Sequence, residues 1–455
     1  MNRAAKKITL IGAGLNGPLL AILLRKRGFD VEIFERRADM RRVRSSAGRS
    51  INLAISTRGI YALQQAGLWE RMRQIIIPMR GRMMHSVAGE LTFQPYGKNE
   101  SEVINSISRA ELNIALMNAA EEQGVAIHFN RRCDGYNLKT GAIWLRDEET
   151  KQAISVDADV VIGCDGSASA IRTEMLKLNR FNFSQEYLDY GYKELTIPAA
   201  PDGEHLLEKH ALHIWPRGNH MLIALPNIDG TFACILFLPF EGEDGFDRLA
   251  SAAQVKSFFE SRFPDAARLM PQLAENYFAN PTGAMVTVKC SPWHVEDRAL
   301  LLGDAAHAIV PFFGQGINSG FEDCTTLIEI LDRHGADWPR VFDDFEARRK
   351  INSDAIADMA VENFIEMRDR VADAKFLFRK KVELALEAKY PALFVPKYAM
   401  VTFHRIPYSV ALKRGKIQER ILAELCGSIS RVEDLDWQNA EQLIHRELTP
   451  LEIAQ

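Results

Sequence analysis

Four stretches of the chain hold residues whose types and spacing could do chemistry. Gly12-Ala13-Gly14-Leu15-Asn16-Gly17 spells G-x-G-x-x-G, and Glu35 follows 18 residues after Gly17. Glycines at that spacing let the backbone turn sharply and approach a pyrophosphate, which rests on the N-terminus of the next helix. A carboxylate at Glu35 can accept the ribose hydroxyls of an adenosine. That pattern alone points to a dinucleotide and does not separate FAD from NAD. In VVIGCDGSASAIR (Val160–Arg172) a strand delivers Asp165-Gly166 to a turn and a helix bearing Arg172. In RALLLGDAAH (Arg298–His307) another delivers Gly303-Asp304, where a carboxylate can bind a polyol such as a ribityl chain. PFFGQGIN (Pro311–Asn318) then sets Gly314, Gln315, Gly316, Ile317 and Asn318 at the start of a further helix. The positive end of that helix suits the flavin edge where charge gathers on reduction. A ligand held at the adenosine end, along a polyol and at a ring is a long one, and FAD fits.

These residues need strands and helices to bring them together. KKITLI (6–11) predicts a strand, PLLAILLRKRG a helix ended by Gly28, and VEIFE (Val31–Glu35) the next strand. Pro18 falls in the first helical turn, where its missing N–H does no harm. Ser108 with Glu111 predicts a capping box opening a helix to about Gln123. VAIHF, AIWLR and ADVVIG read as strands. From about Tyr190 to Phe240 the strands ALHIW, HMLIALP and TFACILFLPF, separated by turns, predict an inserted antiparallel sheet. Beyond about Asp323 the pattern is mostly helical. The fold class is α/β: a Rossmann-like, glutathione-reductase-like FAD-binding domain, an inserted antiparallel β-sheet substrate domain and a C-terminal helical region. The boundaries expected are 1–75, 105–180 and 285–325 for the FAD domain, 76–104 and 181–284 for the sheet domain, and 326–455 for helices covering the active site.

Composition narrows the classes. The 455 residues, 47% hydrophobic and 25% charged, suit a soluble enzyme of two or three units, and a net charge of −4 gives no reason to expect nucleic acid. Six scattered cysteines without CxxC or His spacing predict reduced thiols in a cytoplasmic protein and no metal site. No run of 18 apolar residues occurs and the stretch 428–455 is polar, so no membrane anchor is expected. A monomer or homodimer is expected.

The glycine turns resemble those of the single-component FAD-dependent aromatic hydroxylases. GRSINLA (Gly48–Ala54), PMRGRMMH (Pro78–His85), QPYG (Gln94–Gly97), GYKELTIP (Gly191–Pro198), LHIWPRG (Leu212–Gly218), GDAAHAIVPFFGQG (Gly303–Gly316) and PKYAMVTFHRIPY (Pro396–Tyr408) are similar to the kynurenine-hydroxylating members of that family. The likeness spans nearly all of 6–415 and is not drawn past about 420. It implies that L-kynurenine, NADPH and O₂ give 3-hydroxy-L-kynurenine, NADP⁺ and water through a flavin C4a-hydroperoxide. FAD would be tightly bound and NADPH a transient co-substrate. By resemblance, Arg82 would pair with the substrate carboxylate, Tyr96 and Tyr398 would hydrogen-bond it, Asn363 would line the site, and Phe237 and Phe312 would wall the aromatic ring. Glu35, Arg36, Arg109, Asp304 and the turn around Gln315 would bind flavin, joining Gly12, Gly14, Gly17 and Asp165. No side-chain acid or base is assigned, because the flavin supplies the chemistry. Asn16, Ile317 and Ser319 depart slightly from the family pattern.

Alternatives stay open at this level. They are a relative acting on another amino- or hydroxy-aromatic acid, a non-catalytic carrier on the same fold and a simple NADPH oxidase; the intact set of FAD turns with PFFGQG speaks against the carrier, which need not keep the flavin. His307 reads as structural at a helix start rather than as a base. Arg36, Arg37, Arg41, Arg42 and Arg44 read as a solvated loop, with transient capture of NADPH phosphates as the second reading.

Overall fold

The computed structural model describes residues 7–42, 52–369, 374–427 and 429–451. Arg44 and the first part of the Gly48–Ala54 match lie outside the described residues.

A six-stranded sheet runs in the order His294–Val295, Ala299–Leu301, Val160–Gly163, Ile8–Ile11, Val31–Phe34, Ala126–His128. All pairs are parallel except the first. The four-residue strands Ile8–Ile11, Val31–Phe34 and Val160–Gly163 are buried along their whole length, as a parallel sheet covered on both faces requires. Register does the functional work here. Ile11 stands opposite both Gly163 and Phe34, and Gly163 opposite Leu301. The residues that follow, Gly12, Asp165, Glu35 and Gly303, therefore leave the sheet along one carboxyl edge, where ligands of such sheets bind. The helix Asn16–Arg25 starts at that edge, and Gly28, at φ +81°, ends the turn after it.

The second sheet is larger than the sequence suggests. Its seven strands run Gly283–Ser291, Asn182–Ile197, Phe232–Pro239, Met221–Pro226, Ala211–Pro216, Gly81–His85, Leu91–Pro95. It is antiparallel, as expected, except that Ala211–Pro216 pairs in parallel with Gly81–His85, which enters from far earlier in the chain. One face carries Leu195, Ile197, Trp215, Leu222, Phe232 and Leu236 against the helices Ala252–Arg262, Pro264–Arg268 and Leu273–Ala279. Those helices have no counterpart in the sequence reading, because their apolar positions are too few to impose a clear period. The other face carries Met84, Ile214, Ile235 and Phe237 toward Phe312, Phe313 and the 32-residue helix Trp338–Asp369.

Helices Gly316–His334, Trp338–Asp369, Ala374–Lys389, Lys397–Thr402, Tyr408–Leu425 and Trp437–Glu447 make the C-terminal part helical, as the sequence predicts. No helix among the described residues is long and apolar enough to cross a membrane.

Candidate active site

The first glycine turn is shaped by close approach. Gly12 holds φ +105°, and a Cβ there would lie 2.6 Å from the Cys164 carbonyl oxygen. Glu35 sits behind the turn, 5% exposed, and accepts the Ala13 N–H at 2.8 Å and the Arg37 Nε–H at 2.7 Å. Burial raises the Glu35 pKa, but the Arg37 side chain and the two backbone amides outweigh it and hold the carboxyl below its usual range. Arg36 is exposed beside it.

Gly303, at φ +64°, is pressed against that turn: a Cβ there would lie 2.0 Å from Asn16 Nδ2. Asn16, one of the departures from the family pattern, is thus the contact between the first glycine turn and the Gly303-Asp304 turn. Asp304 has Arg109, His307 and Asp323 as its titratable neighbours. It is closely surrounded by protein, yet its surface is open to solvent. A carboxylate both enclosed and reachable lies on the floor of a cleft. Arg109 opens the helix Arg109–Glu122, where Ser108 Oγ accepts the Glu111 N–H at 3.4 Å. Asp165 Oδ2 accepts the Ala170 N–H at 2.7 Å, while Oδ1 is buried and finds no partner among the described residues. Arg172 locks this corner by donating to the Ala305 carbonyl at 2.7 Å. His307 is engaged inside the protein, 2.6 Å from Asp323 Oδ2 and stacked on Trp293.

At the third turn the first intrahelical bond is Ser319 N–H to the Gln315 carbonyl, at 2.8 Å. The N–H groups of Gly316, Ile317 and Asn318 precede it, so they are the free donors of a helix N-terminus. The Asn318 side chain is fully committed elsewhere. Its Oδ1 accepts the Ser56 and Gly59 N–H groups at 2.9 and 3.2 Å, and its Nδ2 donates to the Ala54 and Gly314 carbonyls. Gln315, 2% exposed, accepts the Tyr408 hydroxyl at 2.8 Å. The residues present fit FAD. A Cβ on Gly14 or Gly316 would meet nothing within 4 Å, so each borders open space. Asp304 and the unpartnered Asp165 oxygen lie on the same sheet edge.

The second half of the site adjoins the third turn. The Arg82 guanidinium lies 5.4 Å from the Tyr96 ring centroid and 5.2 Å from that of Tyr398, and the two rings stack at 5.9 Å. Arg82 Nε is buried without a hydrogen-bond partner among the described residues. Burial pushes both phenols above their usual value, so each is a neutral hydroxyl at neutral pH. A buried cation with a donor unanswered, flanked by two neutral hydroxyls, is suited to a carboxylate. Beside it stand three rings: Phe312 lies 4.9 Å from Phe237 and 4.3 Å from Phe364. Phe313 stacks on Tyr398 at 5.6 Å. Asn363 Nδ2 donates to the Phe312 carbonyl at 2.7 Å, so its amide fixes the turn that carries two of these rings. Arg82, Tyr96, Tyr398, Asn363, Phe237 and Phe312 therefore converge, although they come from five separate parts of the chain. Phe364 is absent from the sequence-based set. Its only sequence signal is adjacency to Asn363.

The family described as FAD binding domain matches residues 6–360. With the cleft above, this defines an FAD-dependent flavoprotein, with FAD as its cofactor. The solved tetrameric form of 2-methyl-3-hydroxypyridine-5-carboxylic acid oxygenase has the same fold, with a TM-score of 0.67 at 18% identity over 82% of this chain and 95% of that one. Kynurenine 3-monooxygenase of Myxococcus xanthus (strain DK1622) is 53% identical over 452 residues, covering 99% of this chain and 97% of that protein. The Flavobacterium psychrophilum enzyme of the same name is 46% identical over 439 residues, covering 96% and 97%. The chain belongs to the kynurenine 3-monooxygenase family.

Proposed function

We propose that the protein hydroxylates L-kynurenine to 3-hydroxy-L-kynurenine, consuming NADPH and O₂. The observation that carries this reading is the buried, unanswered Arg82 Nε between Tyr96 and Tyr398, set against an aromatic wall and next to the helix start at Gly316. Bound FAD, reduced by NADPH, supplies an activated form of O₂ to an electron-rich aromatic carbon. The chain's own residues bind and orient. Arg82 holds the substrate carboxylate in a charge-assisted pair, and the Tyr96 and Tyr398 hydroxyls donate to it. Phe237, Phe312 and Phe364 flank the ring and exclude water, which limits wasteful release of peroxide. Asn363 keeps Phe312 in place. Asp304 would receive the ribityl hydroxyls and Glu35 the adenosine ribose, and the Gly316, Ile317 and Asn318 N–H groups would serve the flavin ring. The reading includes a cytoplasmic enzyme, in keeping with six unpaired cysteines, acting as a monomer or homodimer on a small molecule.

The test is product analysis. Purified protein should be yellow, should oxidise NADPH faster when kynurenine is added, and should place one atom of labelled O₂ in the aromatic product. NADPH oxidation that yields only peroxide would mark an oxidase. Stimulation by a different aromatic acid alone would move the substrate assignment within the class.

A further inference from the structure

Arg58 lies in the helix Thr57–Ala66, outside every motif above, and is 0% exposed. Its Nη1 donates to the carbonyl of Val401 and to that of His404 at 2.9 Å, and its Nη2 donates to the carbonyl of Ile406. Its Nε donates to Glu322 at 3.1 Å. The guanidinium lies 4.0 Å from the ring centroid of Tyr408, whose hydroxyl reaches Gln315. Val401 stands in the last turn of the helix Lys397–Thr402, where carbonyls lack intrahelical partners. One planar side chain from the flavin half of the molecule thus answers three carbonyls just after Tyr398. The N-terminal end of the Arg58 helix is itself tied to the flavin-side turn through Asn318.

We propose that Arg58 is a positioning residue: it sets the place of Tyr398 relative to Arg82 and so couples the flavin turn to the carboxylate clamp. The inference rests on the reading of Tyr398 as a substrate contact. Carbonyls buried at a helix end must be answered, and here only a fork of divergent N–H groups reaches three of them and a carboxylate at once. Lysine keeps the charge for Glu322 but offers one compact ammonium, so the helix bearing Tyr398 is released while the counter-ion stays paired. Arg58 touches no substrate atom, so its loss acts through Tyr398.

The experiment compares Arg58→Lys, Tyr398→Phe and the double variant as FAD-loaded enzymes. Arg58→Lys should keep full flavin content and a substrate-free NADPH oxidation rate within about twofold. It should raise the kynurenine KM about tenfold or more and increase the share of NADPH that ends as peroxide. The double variant should have a KM within about twofold of Tyr398→Phe alone, because the two changes remove one interaction. An Arg58→Lys enzyme with unchanged KM and coupling, one that emerges without flavin, or KM effects that multiply in the double variant would each overturn the proposal. If Tyr398→Phe alone leaves KM unchanged, the reading of Tyr398 fails and this inference goes with it. If Tyr398→Phe raises KM and Arg58→Lys does not, this inference alone fails.

Discussion

Arg82 and Tyr398 stand far apart in the chain, yet the guanidinium of one lies 5.2 Å from the ring centroid of the other. Arg82 comes from the strand Gly81–His85 and Tyr398 from a short C-terminal helix. Removing the cation leaves two neutral hydroxyls that cannot balance a carboxylate. Arg82→Ala should therefore weaken kynurenine binding by about 2–5 kcal/mol, the range for truncating one partner of a buried charge pair. That is a rise in KM of at least roughly thirtyfold. Flavin absorbance per chain should stay at the parent level, since Arg82 lies outside the FAD turns. Steady-state kinetics with flavin quantitation checks both halves, and a parent-like KM would remove Arg82 from the site.

Gly303 tests the flavin reading from the opposite side. It holds φ +64°, and the space a Cβ needs is filled by Asn16 Nδ2 at 2.0 Å. Gly303→Ala must push the Asn16 side chain aside and strain the positive-φ backbone of the turn that carries Asp304; in the proposed site both this turn and the first glycine turn hold FAD. The variant should purify with much of its flavin missing, and added FAD should restore absorbance only in part. Full flavin occupancy in Gly303→Ala would show that the contact between these turns is dispensable.

Acid sensitivity has a defined origin. His213 Nε2 faces the Glu208 carbonyl at 2.9 Å and Nδ1 faces His85 Nε2 at 2.9 Å, with Asp265 2.7 Å from His85 Nδ1. Burial pushes His213 down to about 4, and burial likewise pushes His220 down to about 4. In the unfolded chain both titrate near about 6.5, so between those values the unfolded state binds more protons. Stability is therefore full above about pH 6.5 and falls as pH drops toward 4, by up to about 1.4 kcal/mol per pH unit for each histidine. Thermal melts from neutral to mildly acid pH should trace this loss, and His213→Gln should flatten it by about one proton's worth. Equal slopes in the two proteins would rule His213 out as a source.

The arginine run divides by partner. Arg41 donates to Asp39 at 2.8 and 2.9 Å, to Asn118 at 2.8 Å and to Glu121, whereas Arg42 lies 3.5 Å from the same Asp39 with its side chain 87% exposed. Arg37 is engaged with Glu35. Among the described residues of this run, phosphate contacts would fall to Arg36 and Arg42. Arg41→Ser should lower Tm by several degrees while leaving the NADPH KM within about twofold. A large rise in that KM with an unchanged Tm would reverse the assignment.

The parts of this site that could be read beforehand are those whose constraint is local. A sharp turn before a helix writes its glycines next to one another, so Gly12, Gly14 and Gly303-Asp304 stand out without knowledge of the fold. Strand alternation likewise exposed Ala211–Pro216, Met221–Pro226 and Phe232–Pro239. Arg82, Tyr96 and Tyr398 became visible only through resemblance, since an arginine or tyrosine carries no local mark of its partners. Asn16, Phe364 and Arg58 escaped because their roles exist only across the chain: Asn16 against Gly303, Phe364 against Phe312, Arg58 against Val401. The strand Gly81–His85 joining the large sheet in parallel is a tertiary choice of the same kind.

The order of strands in the first sheet has a bearing on how the protein is made. Ile8–Ile11 leaves the ribosome first but lies between Val31–Phe34 and Val160–Gly163, and the latter waits for Ala299–Leu301. Ala299–Leu301 must be translated before the nascent polypeptide can close this sheet, and Tyr408 must emerge before Gln315 is held. Cofactor loading is thus a late event in biogenesis, and prematurely terminated chains would be released colourless.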